Sequence, residues 1–218
     1  MDDVIFNLIQ DCKDYMVGEA DNYRNLRRSQ SPQILTVMCS DSRTPEEMVS
    51  ADPLNHLFTV KNAGNLVVDT YMTAYGTELA PSGTIDIAID SLEVPYACII
   101  GHSDCAAIKK AISGPAGLNP YKAKTISMIR RGLGEIEEGN LDPGYVNQLA
   151  QRNVDSQVDM LVSSYKDRID DGHLTVFGMF ADIDNQRGYL TNVNGMTDSE
   201  GISTYMETGL LDRIFRRV

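Results

Sequence analysis

The 218-residue chain has no tryptophan and only four cysteines, Cys12, Cys39, Cys98 and Cys105. Four thiols are too few for a secreted fold of this length stapled by disulfides, so they are read as reduced groups that are buried, catalytic or metal-bound. The sequence also lacks any run of 18 apolar residues, which excludes a membrane-spanning helix. Where a signal peptide would be basic, "MDDVIFNLIQDCKDYM" carries Asp2, Asp3, Asp11 and Asp14. These absences lead us to expect a soluble, cytoplasmic protein with no membrane partner. Positive charge is short as well: 19 Lys and Arg face 31 Asp and Glu, a net charge of -12. Phosphate backbones and anionic lipid would be repelled on average, so no nucleic-acid partner is expected, whereas a small neutral substrate is unaffected. No internal repeat, low-complexity tract or linker interrupts the chain.

What is present is ordinary globular material, 42% hydrophobic and 23% charged, enough for one domain with a sizeable core. Val4, Ile5, Leu8, Ile9, Cys12, Tyr15 and Met16 recur every three or four residues, which predicts an amphipathic helical arm over 2–28. Short apolar runs at 34–38, 56–60 and 96–101, and a longer one at 173–183, read as buried strands. Helical patterns lie between them at about 82–94, 104–112, 122–138 and 144–168, with a last helix at about 199–216. Strands alternating with helices predict an α/β fold: a central, mainly parallel β-sheet of four to five strands flanked by helices. The expected organisation is an N-terminal helical arm, 1–33, and a single α/β domain, 34–218.

Ligand sites in parallel sheets lie beyond the carboxyl ends of the strands, and two strand ends here carry reactive side chains. The first reads Cys39-Ser40-Asp41-Ser42-Arg43 and the second, "GHSDC", runs from Gly101 to Cys105. Cys39, His102 and Cys105 make a zinc ligand set with one tetrahedral position left. That position falls to a water or to Asp41. Each motif alone has a plain structural explanation, since a cysteine ending an apolar run is commonly a small buried hydrophobe. Asp41 and Arg43, however, are poor choices beside Cys39 for packing. Arg43 can pair with Asp41, fix it and keep it ionised, and Asp41 can accept a hydrogen bond from a zinc-bound hydroxide. Released from Arg43, Asp41 could instead close the site. Cys12, on the apolar face of the arm, and Cys98, in mid-strand, are expected to be packed rather than ligating; His56 and His173 sit at strand starts, the wrong end.

"CSDSR", "VKNAGN" (60–65) and "GHSDCAAIK" (101–109) resemble the signature of the β-class carbonic anhydrases. The resemblance runs from about Ile34 to Ile112; "NVDSQVDML" and "LTVFGMFADIDNQRG" fit the family's later helix and edge strand more loosely. It implies Zn2+ on Cys39, His102 and Cys105, a dyad of Asp41 and Arg43, and zinc-bound hydroxide attacking carbon dioxide to give bicarbonate and a proton. Asn62, Ala63, Gly64 and Asn65 would then form part of the substrate pocket, although the same loop can be read as a plain tight turn after the second strand. The resemblance further implies a homodimer or tetramer in which the N-terminal arm crosses to a partner. Ala106 stands where the family usually has glycine, and Pro81 lies in a segment that departs from the pattern. The missing tryptophan speaks against the family's inhibitory bicarbonate site. Two rivals are a carbon disulfide or carbonyl sulfide hydrolase on the same scaffold, and a non-catalytic zinc or redox-sensing module.

Overall fold

β1 (Ile34–Cys39) is buried at every position, as a continuous apolar run must be when both faces of a sheet are covered. The computed structural model describes residues 2–26, 29–67 and 79–197. In it β1 joins β2 (Leu57–Asn62), β3 (Tyr96–His102), β4 (Thr175–Asp182) and β5 (Arg187–Val193) in one sheet of order β2-β1-β3-β4-β5. The first four strands are parallel and β5 is antiparallel, matching the expected mainly parallel α/β sheet. The periodicity announced four strands. The fifth, "RGYLTNV", is exposed over its first three residues, and its arginine, glycine and asparagine make it a weak apolar signal suited to a sheet edge.

Helices fill the crossovers. α3 (Leu79–Asp86) runs into a π-helical turn at Ile87–Ser91 before β3. Between β3 and β4 come α4 (Ala106–Ser113), α5 (Pro120–Leu133), α6 (Pro143–Ser164) and the short α7 (Lys166–Asp170). Asn119 and Asp142 cap α5 and α6 by accepting Lys122 N–H and Tyr145 N–H, each with proline at the first helical position, the arrangement that satisfies free helix-start donors. The single helix expected over 144–168 is broken at Tyr165, and the one expected at about 199–216 lies outside the described residues.

The chain divides into Met1–Ser31 and Pro32–Val218. The first unit holds α1 (Asp2–Gly18) and α2 (Ala20–Leu26), so the continuous helix expected over 2–28 is interrupted at Glu19, directly after Gly18. Its apolar stripe is exposed, and Cys12 with it, which corrects the expectation that Cys12 is packed. A seven-residue α2 is too short to bury the stripe of α1.

Within the second unit the register decides where chemistry can occur. Cys39 pairs with Asn62 across β1 and β2, and His102 ends β3 on the other side of β1. Successive connections leave β1 in opposite directions, so the crevice at its carboxyl end is the switch point where open α/β sheets bind ligands. α6 lies over this sheet with Val154, Val158 and Leu161 in the core. Gly101 permits that approach: a Cβ there would fall 2.4 Å from Val154 Cγ2 and 3.4 Å from the Ala150 carbonyl.

Candidate metal centre

Cys39 is the last residue of β1, and the turn that follows is tied by Thr44, whose hydroxyl donates to the Cys39 and Asp41 carbonyls at 2.9 and 2.8 Å. Lys61 of β2 secures the same turn through a 2.6 Å bond from Nζ to the Thr44 carbonyl. On the neighbouring strand, His102 Nδ1 lies 2.8 Å from the Ser103 carbonyl. An acceptor there requires the proton on Nδ1 and leaves a lone pair on Nε2. Nε2 is buried and has no hydrogen-bond partner. Two residues later Asp104 takes a left-handed conformation (φ 57°), and its N–H donates to Asn147 Oδ1 on α6 at 2.9 Å. That turn delivers Cys105 to the start of α4.

The result is a cluster of Cys39, His102 and Cys105 with ligand atoms within 4.8 Å of one another and the two sulfurs 4.0 Å apart. A tetrahedral zinc with bonds of about 2.3 Å would separate two sulfurs by about 3.8 Å, so the donors fit a metal after a small contraction. The orphaned imidazole lone pair is the feature packing alone does not explain, because buried polar atoms nearly always have partners. Among the described residues no other group of three such side chains converges. Cys98 is buried in mid-strand, where burial pushes its thiol up; His56 and His173 lie outside the cluster.

The two thiols share their acidity. The neighbouring Cys105 thiol, by its hydrogen bond, holds the Cys39 thiol below its ordinary pKa against the opposing effect of burial. Cys105 is pushed up by the same Cys39 bond and by burial. One proton therefore leaves readily and the second is held, and a bound cation is what would let both sulfurs be thiolates.

Beside the cluster, Arg43 grips Asp41 with both ends of its fork: Nε to Oδ1 at 2.9 Å and Nη2 to Oδ2 at 2.8 Å, while its backbone N–H reaches Oδ1 at 3.0 Å. These bonds, side chain first, hold the Asp41 carboxyl well below the usual carboxylate range. Oδ2 lies 3.9 Å from His102 Nε2, so the carboxylate faces the metal position. The outer side of Arg43 meets Asp104, through Nη1 at 3.5 Å, and Asp104 is also paired with Lys109. A cavity of about 350 Å³ opens beyond Arg43, lined by Met48, Ile100, Met179, Asp182 and Arg187, and none of the three ligand residues lines it.

The loop after β2 is closed by Asn62, whose amide accepts Leu66 N–H at 2.7 Å and donates to the Leu66 carbonyl at 2.9 Å. Ala63 is exposed, whereas Gly64 (φ 81°) and Asn65 (φ 44°) are buried in left-handed conformations. Sequence reasoning missed the residues that hold this loop and the Asp104 turn: Asn147, Asn153 and Gln157, all on α6. The sequence offers no signal for them, since only the fold shows that the amides at 153 and 157 are buried.

An α/β sheet that brings two thiols and an unpartnered imidazole to one switch point defines a protein built to bind a metal. The carbonic anhydrase family model matches residues 34–188, and the chain belongs to the β-class carbonic anhydrase family. It is 26% identical over 78% of its length to a carbonic anhydrase of Synechococcus elongatus, and 31% identical over 76% to one of Candida albicans. The aligned regions span 64% and 58% of those relatives, so this chain covers less than two thirds of their length. A Pseudomonas aeruginosa carbonic anhydrase is 26% identical, with 86% of both chains covered. In structure the chain resembles the β-carbonic anhydrase CcaA (TM-score 0.73, 24% identity, 88% of this chain and 87% of that one). It also resembles CafD of Aspergillus fumigatus (TM-score 0.55, 27% identity, 75% and 91%).

Proposed function

We propose that the chain catalyses the reversible hydration of carbon dioxide to bicarbonate and a proton, with zinc held by Cys39, His102 and Cys105. The observation that carries this is the buried, unpartnered His102 Nε2 beside two sulfurs, in a chain of this family. Zinc, when bound, supplies the Lewis acid that makes water nucleophilic near neutral pH. Two thiolates weaken that Lewis acid, so the surrounding side chains matter. Asp41 accepts a hydrogen bond from the attacking water at Oδ2, the oxygen on the His102 side, and so aims the nucleophile. Its depressed pKa means it orients without retaining the proton, which passes to solvent. Arg43 fixes Asp41 by its two-pronged grip. If that pair opens, Asp41 is placed to take the fourth ligand position and shut the site. Asn62, Ala63, Gly64 and Asn65 form a wall of the substrate pocket, and the glycine admits the left-handed turn of that loop and the close packing of Ile129 behind it.

Residues 34–218 would act as one catalytic domain and 1–33 as an arm that pairs subunits into a homodimer or tetramer. Support comes from α1, where Val4, Ile5, Phe6, Leu8 and Ile9 are each at least 50% exposed in the single chain, an apolar stripe that calls for a partner. Two β-carbonic anhydrases of Sordaria macrospora that share the fold (TM-score 0.73, 22% identity, 87% of this chain and 97% of that one) are tetrameric. Cytoplasmic residence fits the free cysteines, and no described helix is long and apolar enough to cross a membrane.

Metal analysis together with stopped-flow assays of carbon dioxide hydration and carbon disulfide hydrolysis tests the proposal. About one zinc per chain, as expected of a single ligand set, and carbon dioxide turnover are the expected results. A metal-free protein with reduced thiols, or hydrolysis of carbon disulfide without hydration of carbon dioxide, would overturn it.

A further inference from the structure

Ser103 lies between His102 and the turn at Asp104, and it is fully buried. It stands where the parallel ladder of β3 and β4 runs out, one residue past the last pair, His102 with Ala181. Its N–H makes the regular ladder bond to the Ala181 carbonyl at 2.9 Å. In a parallel ladder the carbonyl of the same residue then accepts the N–H two positions further along the neighbouring chain, here that of Ile183. Instead, the Ile183 N–H donates to the Ser103 hydroxyl oxygen at 2.9 Å, a side chain standing in for a backbone partner. The Asp182 carboxylate steadies the Ile183 side of this contact by accepting the Asn185 N–H at 3.1 Å and Asn185 Nδ2 at 2.8 Å, which fixes the turn into β5. The carbonyl that the ladder would have used is left to His102, whose Nδ1 lies 2.8 Å away. A backbone N–H without a partner is costly, so without the hydroxyl the Ile183 N–H would turn to that carbonyl and draw it towards β4, away from the imidazole.

We propose that Ser103 is a positioning residue of the metal centre: its hydroxyl takes the ladder donor of Ile183, so that its carbonyl is free to hold the His102 ring by Nδ1 and turn Nε2 towards the two sulfurs. The proton on Nδ1 is what leaves Nε2 as the donor atom, and a carbonyl accepting that proton also makes the imidazole a better ligand. Ser103 acts through the imidazole and is not itself a ligand. The inference rests on the reading of Cys39, His102 and Cys105 as metal ligands.

The test uses the full chain with isotope-labelled histidine. NMR of the metal-free protein reads which nitrogen of His102 carries the proton and how fast that proton exchanges with solvent, and chelator competition reads zinc affinity. Wild type should hold the proton on Nδ1 in slow exchange. In Ser103→Ala that proton should exchange several times faster, and zinc affinity should fall by about 10- to 100-fold, the usual cost of losing a group that orients a ligand. Ser103→Thr keeps the hydroxyl and should bring both readings back to wild type. An alanine variant whose His102 proton exchanges as in wild type, or whose zinc affinity is unchanged, would overturn the inference. So would a wild-type chain with the His102 proton on Nε2, a reading that does not depend on the alanine variant folding. A wild-type chain that binds no zinc would overturn the ligand reading and the inference with it, whereas failure confined to the variants leaves that reading standing.

Discussion

Replacing Gly64 with alanine should cost about 3 kcal/mol of stability. Two separable effects add to that figure. At φ 81° a residue with a Cβ pays about 1–2 kcal/mol for the left-handed conformation. The new methyl would also lie 2.7 Å from Ile129 Cδ1 and 3.2 Å from Cγ1. Ile129 is fully buried, so it cannot swing into solvent, and overpacking of this kind costs about 1–3 kcal/mol. Urea unfolding, with a slope of about 2 kcal/mol per molar, should show the midpoint falling by about 1.5 M. The second effect can be isolated. Ile129→Val removes Cδ1 and by itself should cost about 1 kcal/mol, but in the Gly64→Ala background it should cost nothing or restore stability. A coupling of at least about 1 kcal/mol between the two sites is therefore expected. A Gly64→Ala protein within about 0.5 kcal/mol of wild type, or strict additivity with Ile129→Val, would refute the reasoning.

Asp41→Asn should lower kcat/KM for carbon dioxide hydration on the order of 100-fold with zinc content unchanged, because the amide accepts from water less strongly and loses the Arg43 ion pair. Wild-type turnover in that variant would remove Asp41 from the mechanism. A separate outcome concerns pH and stability. Burial raises the Asp155 carboxyl, which faces Thr191 and Asn192 of β5, from its usual 3.8 to about 6. Since the folded state binds this proton more tightly than the unfolded state, stability is full below pH 3.8 and is lost as pH rises through about 6. The full difference would be worth about 3 kcal/mol, which solvent screening at a half-buried carboxyl reduces to about 1 kcal/mol. Asp155→Asn should therefore stabilise the protein by about 1 kcal/mol at pH 7.5 and leave it unchanged near pH 3.5, measured by urea midpoints of the two proteins at each pH. Equal midpoints at pH 7.5 would rule out the burial effect.

Much of the fold was legible because burial on both faces forces strands to be continuous apolar runs, and β1, β3 and β4 are such runs. β5 escaped notice because an edge strand has no need of that composition: Arg187 and Gly188 are exposed, and only its last residues reach the core. The break in the arm at Glu19 and the exposure of Cys12 were equally hidden, since a helical repeat shows which residues share a face and not whether anything covers it. At the site, the polar residues crowded after 34–38 and in 101–105 stood out as chemistry because they would be poor core residues. Asn147, Asn153 and Gln157 did not, because an amide on an amphipathic helix looks the same whether it faces water or a loop carbonyl.

The sequence by itself determined the donor set and its local partners. The thiol of Cys39 and the carboxylate and guanidinium of Asp41 and Arg43 lie within five residues, so their mutual contact is a property of one turn. Only the tertiary structure decided that Cys39 and His102, 63 residues apart, end adjacent parallel strands within one residue of the same level, and that the Ser103 carbonyl and burial leave Nε2 without a partner. It also decided that α6 lies close enough over Gly101 for Asn153 to reach Gly64. Local chemistry depends on neighbours in the chain, whereas alignment of strand ends and the reach of a helix depend on packing that no short stretch of sequence encodes.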